Sequence, residues 1–229
     1  MRTLGIVGGL GPDSTVDYYL SIIESYRNRV GDGSSPSIVI DSLDVRRGIR
    51  MLDDAALKDL TDYLATSLER LAKAGADLAV IAANTPHIVF DQLEPRSPIP
   101  LISIVRATRD AALAAGSRRP ALLGTGFTMS GDFYPRVFAT AGIELVPPRP
   151  EERARIHEIY VGELLNGQFT DEARDVIAGI VEEMVERDAI DAIVMAGTEL
   201  PLLLRERDLR LPILDTTRIH VAAVVDAIV

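Results

Sequence analysis

The sequence predicts an α/β protein made of two similar lobes, each built on a mostly parallel sheet of about four strands, with an active-site cleft between them. Three observations predict it. Short apolar runs alternate with longer amphipathic stretches along the chain. The runs tend to stop at glycine or small polar residues, as buried parallel strands do. The second half also repeats the first. DLAVIAANT at 77–85 returns as DAIVMAGTE at 191–199, and IPLISIVRAT at 99–108 returns as LPILDTTRIH at 211–220, at offsets of 114 and 112 residues. That period is too long for a solenoid unit and reads as a duplicated lobe. The first lobe is expected over 1–103 with 213–229, the second over 104–212.

TLGIVGG at 3–9 is the first strand. Asp13, Ser14 and Thr15 are placed to cap a helix from about Val16 to Arg29. SIVIDSLD at 37–44 is the second strand. Residues 55–74 carry Leu57, Leu60, Leu64, Leu68 and Leu71 at helical spacing, and Gly75 ends that helix. DLAVIAA at 77–83 and PLISI at 100–104 are strands, followed by a helix to about Ala115. PALLGTG at 120–126 and GIELVPP at 142–148 open the second lobe as strands. Helices follow near 151–166 and over 170–187, then strands from 191 and 211.

Composition narrows the chemistry. The chain has 229 residues, enough to bury sizeable cores, with a formal charge of −10. That charge argues against a nucleic-acid surface. No apolar run is long enough to cross a membrane, and the N-terminus reads as a strand rather than a signal peptide, so a cytoplasmic location is expected. Cysteine is absent, which removes disulfides, thiolate metal ligands and thiol nucleophiles. Lys58 and Lys73 are the only lysines and fall in one amphipathic helix, which argues against a pyridoxal-phosphate Schiff base. His87, His157 and His220 form no H-x-x-x-H pair, so no metal site is expected.

Function in such a fold gathers at the carboxyl ends of the strands. Three loop pairs are expected to meet there: GGLGP with GTGFT, AANTPH with AGTELP, and ISIV with LDTT. Gly9-x-Gly11-x-x-Ser14 is a weak match to a dinucleotide loop, with Pro12 inside it and the third glycine missing. Gly9 is still a candidate ligand contact through its backbone. Asn84, Thr85 and His87 follow one strand, and Thr198 and Glu199 follow its repeat. Each alone could be a helix cap or a histidine bonded to a carbonyl. Polar clusters at the same place in both repeats favour a ligand site, and amides and hydroxyls suit carboxylates. Thr125 and Thr128 either bind a second carboxylate or cap a helix. Arg47, in the cluster Arg46, Arg47 and Arg50, either clamps an anion or is solvated. His220 and Asp215 follow the last strand; His220 is a proton donor or a structural hydrogen-bonder. Tyr134 reads as packing, and His157 as solvated on a charged helix.

These motifs resemble the aspartate/glutamate racemase superfamily. LGIVGGLGPDST, AANTPH, LLGTGFTM with DFY, ERARIHEIY, GTELPLL and LPILDTTRIH carry the resemblance over nearly the whole chain. It implies two pseudo-symmetric α/β lobes, a homodimer and catalysis without a cofactor. Members resemble C-N-T-x-H in one lobe and G-C-T-E in the other; the two cysteines work as a two-base pair on opposite faces of the substrate α-carbon. In this chain the corresponding positions are Ala83 and Gly197, while Asn84, Thr85, His87, Thr198 and Glu199 match around them. A pair of thiols is therefore excluded. The family also implies a basic residue on the helix near 156–168, where this chain reads IYVGELLNGQF without one.

Removing an α-proton needs a positioned base and a stabiliser of the developing charge. Alanine and glycine supply neither. The expected function is an isomerase of this family acting on a small carboxylate such as an acidic amino acid, with His87, Glu199 and Thr198 as the non-cysteine acid–base set. Asn84, Thr85, Thr125, Thr128, Gly9, Arg47 and His220 are the expected substrate contacts; Asp13 and Asp215 are further acid–base candidates. The alternatives are an inactive binder of the same ligand class, and a cysteine-free version of an ordinary racemase.

Overall fold

A computed structural model describes residues 2–205 and 209–229. The chain forms two compact units, 1–104 with 217–229, and 105–216.

In the first unit β1 (Leu4–Gly8) leads to α1 (Pro12–Val30), β2 (Ile38–Ser42), α2 (Val45–Asp53), α3 (Leu57–Lys73) and β3 (Leu78–Ile81). A 3₁₀ turn (Thr85–Val89), the short α4 (Phe90–Leu93) and β4 (Leu101–Ile102) complete the sheet. Its order is β2-β1-β3-β4, all parallel. Alternation along the strands decides which face packs where. Leu4, Ile6, Leu78 and Val80 bury one face with Tyr18, Ile22 and Tyr26 of α1. Val7, Ala79 and Ile81 bury the other with Leu60, Leu64, Leu68 and Leu71 of α3.

The second unit contains α5 (Ile104–Ala114, its first residue in the other unit), β5 (Ala121–Gly124), α6 (Gly126–Ser130), α7 (Phe133–Ala139), α8 (Pro150–Gly162) and α9 (Asp171–Asp188). Next come β6 (Ile193–Ala196), the one-turn α10 (Leu200–Leu203) and β7 (Ile213–Asp215). α11 (Thr216–Ile228) returns the chain to the first unit. The sheet order is β5-β6-β7, again parallel. Its core joins Leu123, Ile193 and Met195 to Ile156, Ile159 and Tyr160 of α8 and to Ile177, Val181 and Met184 of α9.

Three local expectations change, and one segment left unassigned gains an element. The strand expected at 142–148 is reduced to a single parallel bridge between Val146 and Ala121. Pro147 and Pro148 follow and have no N–H to continue a ladder. Residues 213–215 pair with β6, so this strand belongs to the second unit and the crossover to the first comes at 216/217 rather than at 213. The first helix starts at Pro12 rather than near Val16. Its N-cap is Gly11, with no side-chain cap bond, and proline at the first helical position supplies the turn that Asp13, Ser14 and Thr15 were expected to cap. Finally, the arginine cluster lies on a helix: Asp44 caps α2 by accepting the Arg46 N–H at 2.9 Å.

Candidate functional site

At the carboxyl end of β3 the chain runs through Ala82 and Ala83 into the 3₁₀ turn. Asn84 and His87 are both 2% exposed. The His87 Nδ1–H donates to the Ala83 carbonyl at 3.0 Å, since a carbonyl can only accept. The ring also stacks on Phe90 at 5.1 Å between centroids. His87 is thus held by its own turn, in the bland arrangement of a histidine bonded to a nearby carbonyl. Thr85 is half-buried at the head of the turn.

The carboxyl end of β6 is closed in another way. Gly197 has no side chain, and a β-carbon built there would stand 2.5 Å from Cε2 and 2.7 Å from the hydroxyl of Tyr160. The volume beside Gly197 is therefore filled by a phenol projecting from α8. Tyr160 donates a short hydrogen bond to Glu199 Oε2. Thr198 Oγ1 donates to the same oxygen at 2.9 Å, and the Glu199 N–H points back to the phenol oxygen at 3.4 Å. Tyr160, Thr198 and Glu199 are 3%, 5% and 2% exposed. Burial, followed by the neighbouring Glu199 charge, raises the phenol pKa well above its usual value. The proton of this bond consequently rests on Tyr160.

Tyr160 was missed by the sequence reading, which looked on this helix for a basic residue. The signal was indirect: a glycine at a position where the family pattern has a side chain leaves a volume that another residue must fill.

The glycine turns after β1 and β5 are built as structure. Gly9 has φ +76°, and a β-carbon there would meet the Leu43 carbonyl oxygen at 2.2 Å. Its N–H donates to Thr15 Oγ1 at 2.8 Å, so that donor is taken within the loop. Thr125 caps α6, accepting the Thr128 N–H at 3.3 Å, and the two hydroxyls lie 3.2 Å apart. His157 is half-buried rather than solvated; its Nδ1 accepts the Gly126 N–H at 3.1 Å.

His220 is one of the expected substrate contacts. It is fully buried; Nε2–H donates to the Ile102 carbonyl at 3.0 Å, and Nδ1 accepts from the Tyr18 hydroxyl at 3.0 Å. Both ring nitrogens are used within the first unit, and burial lowers its pKa to about 4. Arg47 is exposed and lies over the Tyr63 ring, 4.5 Å from its centroid. Tyr134 is fully buried beside Phe133 and Phe138, as a packing residue should be. Asp215 ends β7, where Thr216 Oγ1 donates to the Met195 carbonyl at 2.7 Å. No described helix is long and apolar enough to cross a membrane.

The chain is similar to known proteins over nearly its whole length. The broad-specificity amino-acid racemase RacX of Bacillus subtilis (strain 168) is 22% identical over 218 residues, covering 93% of this chain and 92% of the relative. Among solved structures, a candidate Asp/Glu racemase from Yersinia pestis superposes with a TM-score of 0.89 at 30% identity, covering 99% of both chains. An aspartate racemase homologue from Pyrococcus horikoshii OT3 gives 0.84 at 31% identity, again over 99% of both. The family model described as Asp/Glu/Hydantoin racemase matches residues 7–224, nearly the whole length, and the chain belongs to that family.

Proposed function

We propose that this protein is a cofactor-independent amino-acid racemase or related isomerase, acting on a small carboxylate such as an acidic amino acid, with groups other than thiols moving the α-proton. The observation that carries the reading is the buried carboxylate of Glu199. It follows β6 in a chain without cysteine and is held by the hydroxyls of Thr198 and Tyr160. A carboxylate held by two fixed hydroxyl donors is positioned to act as a general base. Glu199 and Thr198 are the acid–base candidates of the second unit, and His87 that of the first. Asn84, Thr85, Thr125 and Thr128 are candidates for holding carboxylate oxygens. The names of the relatives support the substrate class. A homodimer in the cytoplasm belongs to the same reading, and sedimentation checks the dimer.

The test is α-proton exchange. The protein is incubated in D2O with L- and D-aspartate and L- and D-glutamate, and the α-proton signal is followed by NMR. Loss of that signal, with appearance of the opposite enantiomer, is the expected result; no exchange on any of the four removes the reading.

The second reading is a binder of the same ligand class that performs no turnover. Two observations favour it: Tyr160 fills the volume beside Gly197, and the His87 ring is tied to its own turn. Calorimetric binding of an acidic amino acid, without exchange in D2O, selects it.

A further inference from the structure

The carboxyl end of β6 presents an unusual trio: a glycine, a phenol lodged where that glycine's side chain would be, and a carboxylate bonded to the phenol. We propose that Tyr160 and Glu199 act together as one acid–base group, with the Tyr160 hydroxyl facing the substrate's α-carbon and Glu199 storing its proton. This deepens the function proposed above and rests on it.

The geometry comes first. The Tyr160 oxygen lies 2.7 Å from the place of a β-carbon on Gly197. The sulfur of a cysteine there would project into the same volume. The phenol therefore takes over the space that the family resemblance assigns to the second thiol. It also brings a transferable proton to that space, which a leucine or phenylalanine filling the same cavity would not.

The electrostatics explain why two residues are needed. A lone phenolate in a buried site is strongly disfavoured. Coupled to Glu199, the phenol never has to hold the charge alone. In the forward step the substrate Cα–H bond breaks and the α-proton goes to the Tyr160 oxygen. The phenol's own proton passes along the existing hydrogen bond to Glu199 Oε2. The electron pair of the broken bond stays on the substrate, spread into its carboxylate. The pair changes from one negative charge to none and the substrate gains one. In the reverse step Tyr160 gives a proton to the α-carbon and recovers one from Glu199. No oxidant, metal or cofactor enters the balance. Thr198 Oγ1, donating to the same Glu199 oxygen, orients the carboxylate towards the phenol.

Gly197 fits this arrangement for a steric reason. A β-carbon there would stand 2.5 Å from Cε2 of the phenol ring and 2.7 Å from its hydroxyl, so the ring would have to shift.

The experiment uses the full-length protein with Tyr160→Phe, Glu199→Gln and the double variant. Exchange in D2O is followed from each enantiomer separately, together with kcat, KM and the thermal melt. Tyr160→Phe keeps the ring and removes the proton. The expected result is a loss of 10²-fold or more in exchange from at least one enantiomer, with KM within about threefold, the range a positioned acid–base group contributes. The double variant is expected to be no slower than the worse single one, because two residues working as one group lose their function once. Should Tyr160→Phe not fold, Glu199→Gln leaves the phenol in place and is read by the same criterion. A wild-type protein that exchanges while both single variants stay within fivefold of it overturns the Tyr160–Glu199 assignment and leaves the racemase reading standing. A wild-type protein with no exchange on any acidic amino acid overturns both.

Discussion

β3 and β6 end in equivalent corners, and the two are closed by different means. After β3 the corner keeps a methyl at Ala83 and is sealed locally, by a histidine four residues on in the same turn. After β6 the corner is glycine and is sealed from a distance, by Tyr160 of α8 bonding to Glu199 across 39 residues of sequence. The loops after β1 and β5 differ in the same spirit. Gly8 and Gly124 each stand against a threonine side chain, Thr15 and Thr128. The next residue is a glycine with positive φ in one unit and the helix-capping Thr125 in the other. A duplicated backbone thus holds its polar neighbours in place while the residues at its corners become either structural or chemically distinctive.

The largest expected effect breaks the first-unit loop. Gly9→Ala places a β-carbon 2.2 Å from a backbone oxygen, in a conformation L side chains avoid. The expected cost is about 4 kcal/mol of unfolding free energy, measured by urea denaturation. Its counterpart, Thr125→Gly, loses a cap whose backbone role glycine can still fill, and should cost less than about 1 kcal/mol. Equal costs would mean that the two loops are not built differently after all.

The second prediction sharpens the corner comparison. Gly197→Ala should cost about 2 kcal/mol through overpacking against the Tyr160 ring. In a Tyr160→Leu background, most of that cost should disappear, so the double-mutant cycle has a large coupling energy. Ala83→Gly, which removes one buried methyl and loosens the backbone, should cost about 1 kcal/mol with no such partner. Additive behaviour of Gly197 and Tyr160 would contradict the close contact between them.

The third concerns pH and singles out the first unit. His220 has a folded pKa of about 4, below its ordinary value of 6.5. The unfolded chain therefore binds the extra proton first. The stability associated with neutral His220 is complete above about pH 6.5 and is lost as pH falls from there towards 4. Between pH 7 and 5 the loss is about 2 kcal/mol. His220→Gln should flatten that slope, as followed by urea denaturation at the two pH values. An unchanged slope would show that other groups carry it.

Much of this architecture is legible in the residues themselves. The strand runs, the leucine-patterned helix over 57–73 and the repeated blocks all follow from periodicity, because burial on one face imposes it. α2 was hidden because Gly48 sits inside a segment of only nine residues, and Asp44 supplies the cap that starts it. The strand at 142–148 was over-read because its apolar alternation runs straight into two prolines.

By itself the sequence determined the class of the fold, the duplication, the family likeness and the exclusion of thiol chemistry. Each depends on local pattern or on the plain absence of a residue type. Only the tertiary structure decided that Tyr160 fills the place beside Gly197 and holds Glu199, that His220 is spent on Tyr18 and Ile102, and that Gly9 gives its N–H to Thr15. The physical reason is reach. A side chain's partners are set by what packing brings within a few ångströms, and for Tyr160 and His220 those partners lie 39 and more than a hundred residues away along the chain.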